Sequence, residues 1–407
     1  MNHPAMAALA TTPSHVPAEL VLDFDILDPP GGREDVHLAW KALHRGPDIV
    51  WTPRHGGHWL VTRGEDIDFV QRNHDPFSMT EASFQKALLP PGSTTHRLLP
   101  LEADPPEHTD YRKIVMPWFT PKFIGGLEGD VRRLATGMID GFHGKGGCEF
   151  IGDFALQLPI AIFLKLTDLP ASDRLRLLEW TEYVTRGTPE QHVEGFLRMD
   201  EYIAALIAVR KAQPGSDLIS SIVSASVFGR PINDEEIVAM CRVVLFGGLD
   251  TVASSMGFIA HFLATHPDHL RQLVESPDLI PHAIDELLRR FGVSATGRVL
   301  TRDFDYKGVR FQQGDRVFVF GGLYGLDERK FERPLEVDFS RRNPIHAGFG
   351  AGAHRCPGSY LARTELRAFL EEWLKRIPVF RVKAGERVTF SPGQVQSVRY
   401  LPLEWEV

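Results

Sequence analysis

Apolar residues at Ala362, Leu366, Phe369 and Trp373 recur at intervals of four, three and four. That spacing lays them along one face, so the segment after Gly358 is predicted to be an amphipathic helix with one side buried. The longest helical pattern opens at Asn233, with Glu236 three residues on in the manner of a capping box. It runs through Met240, Val244 and Leu245 to about Thr265, just before His266-Pro267. At 1.5 Å per residue this helix would span roughly 45–50 Å. Residues 125–215 read as largely helical, with breaks at Gly144-Lys145-Gly146-Gly147, Pro159, Pro170 and Pro214-Gly215. Further helices are predicted over 64–75 and around Ile284, Leu287 and Leu288. Alternating or β-branched runs predict short strands at Trp51, 57–62, 295–300 and 314–319. Beyond Pro378 the tail is strand-rich, with turns at Ala384-Gly385 and Pro392-Gly393. The pattern is mainly α with small β-sheets.

Composition narrows this without changing it. Of 407 residues, 43% are hydrophobic and 24% charged, the balance of a globular chain. The net charge of −8 argues against nucleic acid as the main partner. Only three cysteines are present, which gives no disulfide framework and suits a reducing cytoplasm. Residues 1–18 are expected to form a loose leader ahead of one domain over 19–407. No basic, apolar signal segment and no membrane anchor are expected at the start.

Three places depart from plain helix and strand patterning. Gly247-Gly248-Leu249-Asp250-Thr251 lies inside the long helix. Two glycines in mid-helix cost about 2 kcal/mol against alanine, and a polar Asp-Thr pair on a core face costs more. Such violations mark function: the glycines let something flat lie against the helix, and a locally opened turn there would hold water. The second place is Phe349-Gly350-Ala351-Gly352-Ala353-His354-Arg355-Cys356-Pro357-Gly358. Here one cysteine sits just ahead of a helix, where free N–H groups and the helix dipole favour a thiolate. Gly350, Gly352 and Gly358 allow a large flat ligand close to the backbone. Haem iron takes such a lone thiolate as its axial ligand. Zinc wants paired ligands, and His354 with Cys356 has no second pair in the chain. Cys148 and Cys241 are read as packing residues. The third place is Asp104-Pro105-Pro106-Glu107-His108-Thr109-Asp110-Tyr111-Arg112. Asp104 is placed to cap a helix whose first turn suits the prolines, and His108 and Arg112 share its face. Glu286 and Arg289, three apart, would by themselves be an ordinary surface pair.

Phe-x-x-Gly-x-His-x-Cys-x-Gly at 349–358 resembles the haem-binding loop of the cytochrome P450 family. Asp-Pro-Pro-Glu-His at 104–108, Gly-Gly-Leu-Asp-Thr at 247–251 and Glu-x-x-Arg at 286–289 resemble its other motifs, in the family's order. The resemblance covers nearly the whole chain. It implies the P450 fold, a helical core enclosing the haem around a long central helix, and haem b held by the Cys356 thiolate. Phe349, Gly247 and Gly248 would then lie against the haem, and Arg112, His108, Arg298 and His354 would meet its propionates. Thr251 would hold dioxygen and its water by hydrogen bonds, and Asp250 would feed protons from outside. Glu286 and Arg289 would be buried behind the haem loop, with Arg341 as third member.

The runs 245–251, 285–291, 325–329 and 337–341 resemble the bacterial camphor hydroxylases, with departures that concern substrate. No Tyr falls in 81–103, Thr296 replaces an Asp, Phe246 is larger than its counterpart, and Gln394 replaces an aliphatic group. Camphor itself is therefore not expected. A small apolar, terpenoid-like compound is, in a pocket formed by Leu98, Leu101, Thr185, Val243, Phe246, Ser294, Thr296, Gln394 and Val395, with 88–101 as surface cover. The implied activity is a monooxygenase using O2 and two electrons from NAD(P)H, passed through a ferredoxin reductase and a [2Fe-2S] ferredoxin. Arg72, Arg112, Lys113 and Arg363 are the candidate docking cations, and a cytoplasmic monomer is expected. The rival readings are a peroxygenase and a haem-binding gas sensor or carrier without turnover. The Asp250-Thr251 pair argues against both.

Overall fold

A computed structural model of the protein describes residues 9–80 and 97–407. Its longest element, the central helix Asp234–Thr265, is closed at its start by a complete capping box. Asn233 Oδ1 accepts the Glu236 N–H at 2.9 Å, and Glu236 accepts the Asn233 N–H at 2.9 Å. By length and hydropathy this helix would pass for a membrane span, but Met240, Leu245, Met256, Ile259 and Leu263 are fully buried inside the protein. Its first half, through Leu245, belongs to one apolar cluster with the helices Gln157–Leu166, Arg174–Arg186 and Pro189–Ala212. Its second half, from Val252, belongs to another with Pro121–His143, Ile280–Arg290 and the cysteine helix Ser359–Arg376. Gly247 to Thr251 fall at the seam between the two cores. The helix is unbroken through this seam, so the opened turn expected there is not formed. The Thr251 hydroxyl instead donates to the Gly247 carbonyl at 3.2 Å.

A five-stranded sheet flanks the helices in the order Ile49–Thr52, His58–Val61, Arg316–Phe320, Ala295–Leu300, Phe77–Ser78. Arg316–Phe320 runs parallel to His58–Val61 and antiparallel to Ala295–Leu300, with Val319 opposite Thr296 and Val317 opposite Arg298. Alternation along the strand puts Ser294, Thr296 and Arg298 on one face.

Several local expectations are corrected. The helix predicted over 64–75 is Gly64–Arg72, stopped where the Asn73 side chain donates to the Phe69 carbonyl. Pro159 does not break a helix. It is the third residue of Gln157–Leu166, within the first turn, where a missing N–H costs nothing. Asp104 does not cap Glu107–Val115, which has no side-chain cap. Its carboxylate is taken by the Met79 N–H at 3.1 Å and by the Ser78 hydroxyl. From Ala10 onward the expected loose leader is docked: its N–H donates to the Pro53 carbonyl at 2.9 Å, His15 contacts Asp315 at 2.9 Å, and Val16 is buried. Of the expected cover segment, residues 88–96 lie outside the described residues.

The Glu286–Arg289 pair is fully buried. Arg289 reaches both carboxylate oxygens, at 2.7 and 2.8 Å, and also donates to the Pro334 and Glu336 carbonyls. Arg341 adds a contact to Glu286 at 3.1 Å. This knot ties Ile280–Arg290 to the loop that precedes the cysteine turn. Arg289→Leu would strand a buried carboxylate, at a cost of about 3–5 kcal/mol. The urea midpoint should fall accordingly, whereas Arg333→Ala, which breaks the exposed i,i+3 pair with Glu336, should leave it unmoved.

Candidate active site

A cavity of about 370 Å³ lies between the central helix and the cysteine turn. Val243, Val244, Gly247, Gly248, Thr251, Val252 and Ser255 form its wall on the central helix, which is one face at helical spacing. A Cβ on Gly247 would meet nothing within 4 Å, and one on Gly248 would lie 3.5 Å from the Phe163 ring. Among the described residues, the space over Gly247 is empty and only the Phe163 ring borders Gly248.

The opposite wall is the cysteine turn. The Cys356 N–H donates to the Phe349 carbonyl at 2.8 Å and closes the loop. Gly350 and Gly352 both have φ of +67°, a conformation open to glycine at no steric cost. A Cβ on Gly352 would also stand 2.9 Å from the Gln71 carbonyl. Phe349 lines the cavity and carries the Arg363 guanidinium 4.6 Å over its ring. Contrary to the expectation from the helix dipole alone, burial pushes the Cys356 thiol up. The Gly358 N–H and the charges of Arg112, Arg355 and Arg363 pull the other way. A bound metal ion settles that contest, because a coordinating thiol is deprotonated outright.

One end of the cavity is cationic. Arg298, Arg112, His108 and His354 all line it. Arg298 is 4% exposed, and its side chain donates to the Gly297 carbonyl at 2.7 Å and the Thr296 hydroxyl at 3.4 Å. Among the described residues no carboxylate pairs with it. Burial pushes the guanidinium down to about 10, with some relief from Asp104. His354 Nε2 is buried with no hydrogen-bond partner, 3.7 Å from Asp104. A buried, uncompensated guanidinium is costly, so this end calls for an anionic group. A flat slot over two glycines, a single thiol on one wall and cations at one edge fit haem, with its iron at Cys356 and its propionates at the edge.

Asp250, next to Thr251 in sequence, points away from the cavity. Its carboxylate receives Arg186 Nη1 at 2.8 Å and Nη2 at 2.7 Å, and both side chains are less than a tenth exposed. Arg186 also reaches the Val395 carbonyl at 3.4 Å.

Comparison with known proteins agrees with this geometry. The cytochrome P450 family profile matches residues 163–280 and 277–398. "Probable cytochrome P450 127A1" of Sinorhizobium fredii is 32% identical over 97% of this chain and 96% of its own. Mycinamicin IV hydroxylase/epoxidase of Micromonospora griseorubida is 29% identical over 85% of this chain and 89% of its own. Among solved structures, CYP101C1 superposes with a TM-score of 0.88 at 41% identity, covering 98% of this chain and 100% of that one. CYP101J2 does so with 0.88 at 36% identity, with the same coverage. The chain belongs to the cytochrome P450 family. It is a monooxygenase of that family, and its cofactor is haem with a cysteine thiolate on the iron.

Of the residues expected in the substrate pocket, Leu101, Val243, Ser294 and Thr296 line the cavity and five do not. Leu98 is buried against the 97–102 turn, its N–H donating to the Glu102 carboxylate at 2.9 Å. The Thr185 hydroxyl donates to the Thr181 carbonyl and accepts from Arg186. Phe246 packs edge-on against Phe196, 5.3 Å between centroids, on the side of Pro189–Ala212. Gln394 and Val395 are held by backbone pairing to the start of Ala295–Leu300: the Gln394 carbonyl accepts the Ala295 N–H, and Val395 bridges Ser294. Three lining polar or charged residues, Gln71, Ser255 and Glu365, were not anticipated from sequence or were given no role, and neither was Arg186, outside the cavity, as the partner of Asp250. A glutamate on the apolar face of the cysteine helix was the one legible sign among them.

Cys356→Ala protein should lose the thiolate-type carbon monoxide difference spectrum. Cys148→Ala and Cys241→Ala should keep it, since neither residue lines the cavity.

Proposed function

We propose that the protein hydroxylates an apolar substrate of terpenoid size, with electrons from NAD(P)H delivered by a ferredoxin reductase and a [2Fe-2S] ferredoxin in the cytoplasm. The observation that carries this reading is the split placement of the acid–alcohol pair, Thr251 on the cavity wall and Asp250 behind it in contact with Arg186. Haem, when bound, supplies the metal centre at which dioxygen is activated. Cys356 would hold it, and Arg298, Arg112, His108 and His354 would hold its carboxylates. The Thr251 hydroxyl offers a hydrogen bond in the cavity, and Asp250 exchanges protons with the outside when Arg186 releases it. A wall of Met79, Leu101, Phe163, Val243, Val244 and Val293, relieved by the hydroxyls of Ser294 and Thr296, favours an apolar substrate with few polar groups. The similarity to mycinamicin IV hydroxylase/epoxidase keeps a mycinamicin-like substrate as the second reading.

For the ferredoxin the candidate cations are Arg72, Arg112, Lys113 and Arg363. Three of them already face carboxylates: Arg72 meets Asp68 at 2.8 Å, Lys113 meets Asp110 at 2.9 Å, and Arg363 meets Asp285 at 2.8 Å. Arg112 donates to the Arg355 carbonyl beside the cysteine.

Three outcomes test the reading. Purified protein given NADH, a ferredoxin pair and a terpenoid panel should form oxygenated product, and only with the electron chain complete. Product with peroxide alone would favour a peroxygenase, and haem that cycles ligands without product would favour a carrier. Thr251→Ala should keep NADH consumption while product per NADH falls severalfold. Arg298→Leu should weaken haem retention by about 1.5–3 kcal/mol, read as roughly ten- to a hundredfold faster transfer of haem to apomyoglobin.

A further inference from the structure

Among the described residues, four hydroxyl-bearing side chains line the cavity, Thr251, Ser255, Ser294 and Thr296. They differ in what already holds their protons. On the central helix, Thr251 donates to the Gly247 carbonyl at 3.2 Å and Ser255 to the Thr251 carbonyl at 2.9 Å. Both are turned back onto their own helix, the common habit of a hydroxyl in mid-helix. The other two stand on the strand wall. Thr296 Oγ1 accepts from Arg298 Nη1 at 3.4 Å, so it belongs to the cationic end that suits the cofactor's carboxylates. Ser294 lies two residues earlier on the same face, roughly 7 Å further from that end. Its hydroxyl has one partner among the described residues, the Gly348 carbonyl at 3.5 Å. That is beyond the range of about 2.5–3.0 Å for an effective O–H···O bond. The backbone of Ser294 is firmly held, its carbonyl accepting the Gly321 N–H at 3.2 Å and the residue bridging Val395. Its neighbours Val293 and Ala295 are buried. Ser294 is thus a fixed residue with a nearly idle proton, at an apolar part of the wall.

We propose that the substrate carries a hydrogen-bond-accepting oxygen, a carbonyl or an ether, and that Ser294 donates to it. The cofactor has no claim on this proton, because its acceptors beyond the metal centre are carboxylates, and those suit the cations at the other end. An alcohol could donate to Ser294 Oγ only by leaving the serine proton on its long contact, whereas a carbonyl or ether oxygen takes that proton itself. Turning the hydroxyl from Gly348 into the cavity is a rotation about one bond between staggered positions. A bare hydrocarbon fills the same apolar space and gains nothing from Ser294. With its oxygen pinned to the strand, an apolar skeleton no longer turns freely in the cavity, so oxygen is inserted at few positions rather than many.

This inference deepens the hydroxylase reading and rests on it, and the two fail differently. Spin-state titration of the haem-loaded protein with menthone and menthane, and with fenchone and fenchane, reads binding without turnover. The members of each pair share a skeleton and differ by one carbonyl. A hydrocarbon leaves water more readily than a ketone, so the readout is the affinity ratio within each pair, compared between wild type and variant. Ser294→Ala should weaken the ketones about two- to tenfold, the worth of one neutral hydrogen bond, and leave the hydrocarbons unmoved. The carbonyl stretch of bound menthone should lie lower in wild type than in Ser294→Ala, the mark of a carbonyl that accepts a hydrogen bond. Thr296→Val should keep the wild-type ratio. A ratio equal in wild type and Ser294→Ala would overturn the proposal, and so would one abolished by Thr296→Val alone. If neither pair shifts the wild-type spectrum, the terpenoid-sized substrate and this proposal fall together. A ratio lost in Ser294→Ala, with no oxygenated product from the complete electron chain, would keep this proposal and sink the hydroxylase reading. Product formed with the ratio unmoved would do the reverse.

Discussion

A charge taken out of water must find its opposite, and the architecture around the cavity follows from where it does and where it does not. Glu286 and Arg289 answer each other completely: both are fully buried, joined by two contacts and backed by Arg341. Their Coulombic gain roughly repays their desolvation, so the knot adds little net stability but fixes one arrangement of the loop leading to Cys356. Arg298 is the reverse case. It is equally dry, yet its partners are a carbonyl and a hydroxyl. The protein alone leaves this charge unanswered, and a bound dicarboxylate answers it. Cofactor binding thereby removes a penalty built into the fold, which couples loading to stability.

Two periodicities bring the site together. Alternation along Ala295–Leu300 presents Thr296 and Arg298 to the cavity, and pairing with Arg316–Phe320 fixes that register. A one-residue slip would turn both away. The helical period presents Gly247, Thr251 and Ser255 from the other side. The central helix is apolar on nearly every side because it serves two separate cores. The cavity opens at the seam, where neither core claims the helix surface. Glycine is tolerated there because no packing partner is lost.

Local spacing was legible in the sequence, and distant pairing was not. The capping box at Asn233 and Glu236, the turn around Cys356 and the face Ala362, Leu366, Phe369, Trp373 are each set by residues within a few positions of one another. The four motifs were enough to name the family because their order along the chain is itself information. The pocket was only half legible. Phe246 sits two residues before Gly248, but on a helix buried on several sides sequence spacing does not say which core a side chain joins, and Phe246 joins that of Phe196. Thr185 does not line the cavity, and its hydroxyl serves its own helix carbonyl. The Asp250–Arg186 pair spans 64 positions and the Arg399–Glu182 pair 217, and no local pattern announces either. Asp104 looked like a cap and became the anchor for Ser78 and Met79, since tertiary partners outbid a local role that proline at the helix start had already made optional.

Asp250 and Thr251 are adjacent in sequence but stand about 100° apart around the helix axis, and that angle decides what each can do. Thr251 faces a mostly apolar cavity, where its hydroxyl, now donating to the Gly247 carbonyl, can turn to offer one hydrogen bond and carries no charge to be compensated. Asp250 faces Arg186 and receives both of its terminal nitrogens. A carboxylate held at both oxygens cannot turn toward solvent until that clamp opens, so the proposed traffic through Asp250 would be tied to motion of Arg186 and of the hairpin it touches at Val395.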